Sequence, residues 1–259
     1  MRRGRRFTCL SPPPALAFDA PGVSLRPSPP GADFLGLDPR FSITRLPWPD
    51  RPLGAPAGTM PPRPLRILFM ACAPQAQVPL EHEREEEAAL KAVSLAGPNV
   101  VLETPDLGTF EELRQRINEF QPQVVDLSGH GIVKEDGLGY FCFEDEDGKT
   151  DLRSSMELRQ QLFAGGGVQC AFISGCQSGQ APPIAALGGV CRGLVGDEVP
   201  LALGWAASVF DVHATRFAAA FYNTLASGRP VHRALVQARQ AIRKGEYPTW
   251  TLAVTTPPG

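Results

Sequence analysis

From Leu65 onward, short apolar runs alternate with stretches of helical periodicity, and this alternation limits the chain to very few architectures. "LRILFMACA" is apolar throughout, as a strand buried on both faces must be. "EHEREEEAALKAVSLAG" has an acidic first turn, suited to the positive end of a helix dipole, and carries Gly97 near its end. "NVVLE" is a second strand, and "TFEELRQRINEF" a helix capped at Thr109 with Glu112 three residues on, a capping-box pattern. "QVVDLS" is a third strand. "GYFCFEDEDGKTDL" is a hairpin with Asp147-Gly148 at its tip, followed by a helix near "SMELRQQLFAG" and a fourth strand, "VQCAFIS". A Gly-interrupted helix near 182–195, the strand "VPLALGWA", helices near 211–227 and 230–244, and the strand "TWTLAV" complete the series. The expectation is an α/β fold with a mostly parallel central sheet and helices on both faces.

The first 64 residues are of another kind. They hold fifteen of the twenty-seven prolines, and a residue without a backbone N–H and with φ fixed builds neither helix interior nor sheet centre. Residues 1–32 read as an irregular Pro- and Arg-rich arm. The island "DFLGLDPRFSITRLPW" reads as two short edge strands turning at Asp38-Pro39 and docking on the body. We therefore expect one domain over 33–255, with an edge hairpin and linker at 33–64 and the α/β core at 65–255. Charge divides along the same line: residues 1–66 carry ten Arg and four Asp, a net of +6, and the remainder is –8. An overall charge of –2 does not suggest a nucleic-acid binder, and the arm lacks the aromatic interleaving of one. No apolar run reaches the ~20 residues that span a bilayer, and "FTCLSPPPALAF" is too short and proline-broken for a secretory signal. The six cysteines form no CxxC and no regular framework, so we expect a reduced, cytoplasmic protein with no zinc site.

Two short stretches carry the chemistry. "VVDLSGHGIV" and "AFISGCQSGQ" each end an apolar run in glycine, with one reactive side chain between the glycines: His130 in the first, Cys176 in the second. In an open α/β sheet, functional residues collect at the carboxyl ends of strands. If the third and fourth strands are neighbours, the two side chains meet. A thiol is mostly protonated at neutral pH, and a nearby imidazole activates it. Attack on a carbonyl then needs N–H donors for the oxyanion, which Gly131 and Cys176 are placed to supply. Either residue alone reads more simply as a buried core cysteine or a hydrogen-bonded loop histidine. The matched pair of glycine-framed positions favours catalysis.

"DLSGHG" and "FISGCQSG" resemble the His and Cys motifs of the CHAT family, caspase-like cysteine peptidases related to caspases and separases. "DFLGLDPRFSITR" and the first strand and helix resemble the family's upstream hairpin and first βα unit. "PLALGWAASVFDVHATRFAAAFYNTLASGRPVHRALVQAR" resembles its C-terminal portion. The resemblance implies a caspase-like three-layer α/β/α sandwich and a Cys–His dyad. Cys176 would be the nucleophile and His130 the general base and then acid, with Gly131 and Cys176 as the oxyanion hole. It implies no metal, no organic cofactor, protein substrates, and activation by a partner protein or an upstream protease in a bacterial defence or programmed-death pathway. The "PWEL"-type segment often found before the family's hairpin is replaced here by the Pro-rich start, and the sensing domain to which members are often fused is not expected within these 259 residues.

Three residues are candidates for the pocket that selects the residue before the cut. Asp211 follows the "GWAASVF" strand, where separase-like relatives place an acid; it reads equally as a helix N-cap. Asp126 shares strand parity with Ser128 and His130, although an internal ion pair is the simpler role. Ser174, two before Cys176, occupies a position that contributes to this pocket in related peptidases. An acid there favours Arg or Lys in the substrate. His82, His213 and His232 read as structural or exposed, and the acidic hairpin 144–151 as a solvated turn. A non-catalytic interaction module on the same fold, and a Cys-dependent small-molecule amide hydrolase, are the competing readings.

Overall fold

The computed structural model describes Leu37 and residues 64–75, 82–136, 138–165, 167–174, 190–191, 193–194, 199, 201–205, 211–243 and 253–256. Strand β1 (Leu65–Ala71) pairs in parallel with β2 (Val100–Glu103) on one side and β3 (Val124–Ser128) on the other. Next come β7 (Cys170–Ser174) and β8 (Ala202–Trp205), also parallel, and β9 (Ala253–Thr256), which closes the sheet antiparallel. The order is β2-β1-β3-β7-β8-β9. A second, antiparallel sheet is built from β4 (His130–Val133), β5 (Gly139–Glu144) and β6 (Thr150–Ser154).

The side chains of the sheet divide by parity into two cores, because successive residues of a strand point to opposite faces. Ile67, Val124, Cys170, Phe172 and Leu203 pack on one face against α1 (His82–Ala96), α4 (Asp211–Ala226) and α5 (Val231–Ala241). Leu68, Met70, Val125, Leu127 and Ile173 pack on the other against α2 (Phe110–Phe120), α3 (Ser155–Leu158) and the helical residues Val190, Cys191 and Leu194. The result is a three-layer α/β/α sandwich, as expected from the alternation of strands and helices. Leu37, from the proline-rich region, is buried in the first of these cores, and its carbonyl accepts a hydrogen bond from Gln240 Nε2 at 2.7 Å. The rest of the hairpin expected over 33–48 lies outside the described residues.

This order sets the position of a site. The chain steps from β1 to β2 with α1 on one face, then back across β1 to β3 with α2 on the other. Right-handed crossovers in opposite directions force that change of face. The winding therefore reverses between β1 and β3. In sheets of the 2-1-3-4-5 order, ligands bind outside the carboxyl ends of the strands at this reversal.

Local signals explain most element ends. The expected cap forms at Thr109, whose Oγ1 accepts from the Glu112 N–H at 3.2 Å. Helix α2 stops at Gln121, held at φ 52° with its side chain amide donating to the carbonyls of Ile117 and Asn118. A full capping box also starts α3, where Ser154 Oγ accepts from Glu157 N while the Glu157 carboxylate accepts from Ser154 N. Two expectations need correction. The helix expected over "SMELRQQLFAG" is a single α turn that widens into a π-helix at Arg159–Phe163. The wider turn brings Leu158, Leu162 and Phe163 into the core together. The β5–β6 hairpin carries Asp147-Gly148 at its tip as expected, in the loop 145–149, with a turn closed by Gly148 N to Asp145 O at 3.0 Å and Gly148 alone at positive φ, 75°. Second, this loop is not simply solvated. It is tied to the segment following β1, with Gln75 N bonded to Gly148 O at 3.0 Å and Ala73 N to the Glu144 carboxylate at 2.7 Å.

Candidate active site

At the carboxyl end of β3, the chain leaves the main sheet. Ser128 is the last residue of β3 and His130 the first of β4, so Gly129 alone makes the corner between the two sheets. The corner is tight. A Cβ on Gly129 would stand 2.6 Å from Cζ of Phe141, which is itself fully buried on β5. Replacing Gly129 with alanine should cost about 1–3 kcal/mol, because the fully buried Phe141 ring must shift to admit the methyl group. A urea midpoint unchanged in the variant would show that the corner relaxes without strain.

β3 and β7 are neighbours, the condition the sequence reading set for His130 and Cys176 to meet. Their register pairs Asp126 with Phe172 and Ser128 with Ser174, and Gly129 N donates to Ser174 O at 2.9 Å. His130 lies two residues beyond Ser128, and Cys176 two residues beyond Ser174. They are corresponding positions past the ends of adjacent parallel strands, which lie about 4.8 Å apart. His130 is 8% exposed and stands opposite Cys142 in the β4–β5 ladder, and Gly131 opposite Phe141. Cys176 itself, with the whole segment 175–180, lies outside the described residues.

The described cysteines are poor nucleophiles for a common reason. Cys72, Cys142, Cys170 and Cys191 are all buried. Burial, which disfavours the charged thiolate, pushes the Cys142 thiol up to about 11 and that of Cys191 up to about 12. Burial likewise raises Cys170 and Cys72, with Asp126 adding to the first and Glu144 to the second. In the native protein at pH 7.5, iodoacetamide should leave these four unmodified. Peptide mapping by mass spectrometry reads this directly, and fast alkylation of Cys142 would contradict it.

The three specificity candidates separate in space. Asp126 is 1% exposed on the α4 face of the sheet. It accepts hydrogen bonds from Ser174 Oγ at 2.9 Å and from the Tyr222 hydroxyl. Ser174, 3% exposed, is thus joined to Asp126. Asp211 is the first residue of α4, a helix that follows the segment 206–210 after β8. Tyr222 is the residue that sequence reasoning missed. It lies 96 positions from Asp126, beyond any local pattern, although it falls within the quoted C-terminal stretch. Of the remaining histidines, His213 is buried on α4, His232 is half-buried with burial lowering its pKa, and His82 begins α1. Among the described residues, no helix is long and apolar enough to cross a membrane, and no group of three or more His, Cys, Asp or Glu side chains is placed to hold a metal ion.

The fold and this strand-end geometry define an α/β protein of the 2-1-3-4-5 winding with a buried histidine at its switch point. Residues 39–252 match the family model of the CHAT domain, more than four fifths of the sequence, and the chain belongs to that family, as its two glycine-framed motifs imply. No curated protein matches it. Among solved structures it is similar to the Arg specific cysteine proteinase gingipain R, at 9% identity and TM-score 0.49, over 85% of this chain and 54% of that one. It is also similar to the Saccharomyces cerevisiae separase–securin complex, at 16% identity and TM-score 0.47, over 86% of this chain and 14% of that one. The chain thus spans about half the gingipain chain and a small part of the separase chain.

Proposed function

We propose that this CHAT domain is a cysteine endopeptidase that cuts protein substrates through a Cys176–His130 dyad, after a basic residue. The observation that carries this reading is the β3–β7 register, Ser128 against Ser174, because each reactive residue follows one of these two paired strand ends by two positions in sequence. In the reaction, His130 takes the proton from the Cys176 thiol as the sulfur attacks the scissile carbonyl carbon. The negative charge moves to the carbonyl oxygen, stabilised by the backbone N–H groups of Gly131 and Cys176. Collapse breaks the C–N bond, and His130 returns its proton to the leaving amine. Water, activated by the same imidazole, then attacks the thioester and releases the acid. The dyad needs only these groups. Activation by a partner protein or an upstream protease, and a role in a bacterial defence or cell-death pathway, belong to the same proposal.

Specificity is tested with a peptide library randomised on both sides of the cut. Cleavage after Arg or Lys is expected, with Asp211 the acid that selects them. A library cut with no basic preference would refute the specificity while leaving the dyad standing.

A further inference from the structure

A carboxylate pinned on the core side of a sheet is a costly feature, and this one has a tyrosine from another layer attached to it. Asp126 lies on the sheet face that packs against α4, beside a core containing Phe172, Phe217 and Phe221. A buried carboxylate costs free energy unless it is hydrogen-bonded, and an apolar residue of similar size is often as stable or more so. Core packing alone therefore gives no reason for Asp126.

Its bonds give one. Oδ1 accepts from Ser174 Oγ, and Oδ2 accepts from the hydroxyl of Tyr222, which is 1% exposed on α4. Ser174 has a second bond: its carbonyl accepts from Gly129 N, the residue next to His130. Ser174 is thus the last described residue before Cys176 and is joined to both arms of the dyad: by sequence to one, and by hydrogen bond to the other. Through Asp126, the same serine is anchored to the helical layer. Tyr222 occupies the second carboxylate oxygen, which restrains rotation of the carboxylate and so the direction in which Oδ1 holds Ser174.

On this geometry, and resting on the peptidase reading above, we infer that Tyr222 is a positioning residue. Acting through Asp126 and Ser174, it fixes the strand end from which Cys176 meets His130. It touches neither substrate nor sulfur. Losing it loosens the approach of thiol to imidazole, and misplacement by about 1 Å costs on the order of 100-fold in rate.

The test uses the full chain as wild type, Cys176→Ala, Tyr222→Phe, Ser174→Ala and the double variant Tyr222→Phe/Ser174→Ala, on a fluorogenic peptide with Arg before the cut. Circular dichroism confirms that each variant is folded, and Tyr222→Phe keeps the ring that fills the core. Tyr222→Phe should lower kcat roughly 10- to 100-fold with KM within about twofold. Ser174→Ala should do the same without changing the preferred residue before the cut, and the double variant should be no slower than the slower single one. Multiplying effects in the double variant, or a Ser174→Ala that changes preference at unchanged kcat, would overturn the inference. A Tyr222→Phe enzyme with wild-type kcat would do so as well. If wild type shows no Cys176-dependent cleavage of any peptide, the peptidase reading fails and takes this inference with it.

Discussion

Replacing Cys176 with alanine is expected to abolish peptide cleavage, at a cost of at least about 10⁴-fold in kcat. No other thiol on the described chain can take over. Cys142 stands nearest to His130 along the β4–β5 ladder, but burial keeps it protonated to about pH 11. The remaining described cysteines are buried and pushed up in the same direction. His130→Ala should be nearly as damaging, and the double variant no worse than the worse single one. A nucleophile and its base act as a unit, so their losses do not add. Product formation on a peptide library, followed by mass spectrometry, measures all three. Cleavage by Cys176→Ala within tenfold of wild type would favour a non-catalytic interaction module on this fold.

The largest effect on stability is expected at Phe172. It is fully buried on β7 in the middle of the sheet, with its ring centroid 5.8 Å from that of Phe217 and 5.9 Å from that of Phe221. Alanine there empties a space lined by two aromatic rings on α4, which cannot move inward without leaving α1 and α5. The cost should be about 3–5 kcal/mol, a large part of the 5–15 kcal/mol by which domains are usually stable. Phe172→Leu keeps most of the volume and should cost less than about 1.5 kcal/mol. Urea unfolding of the two variants separates the values. Equal midpoints would mean that the α4 layer closes the gap, and that the aromatic cluster is not what fixes α4 against β7, the strand that ends at Ser174.

The parts of this fold that could be read from sequence are those written within single elements. Apolar continuity marked the strands. Parity correctly grouped Asp126 with Ser128, both buried on the face of Val124, but failed for His130, which Gly129 turns into the second sheet. Thr109 and Gly97 marked helix ends where the structure has them. Ser154-x-x-Glu157 was an equally explicit box, but it straddles the boundary between the hairpin pattern, which ends at Leu152, and the helical pattern, which starts at Ser155. β4 was not legible: four residues with glycine second give no alternation, and the strand exists because Gly129 turns the chain onto β5. The Tyr222–Asp126 bond was out of reach for a different reason. It joins residues from separate layers, and only the packing of α4 on the sheet selects that tyrosine rather than another. The neighbouring of β3 and β7 stood between these cases: a rule of short right-handed crossovers suggested it, and the register now gives it residue by residue.

The account rests on one thiol sharing one proton with one imidazole, and the pH dependence of alkylation at Cys176 measures that most directly. In wild type, the rate of iodoacetamide modification at Cys176, followed peptide by peptide, should rise through an inflection well below the ~8.5 of a free cysteine. In His130→Ala the inflection should return to that value or above it. Identical curves for the two proteins, each with the inflection of an ordinary thiol, would contradict the dyad.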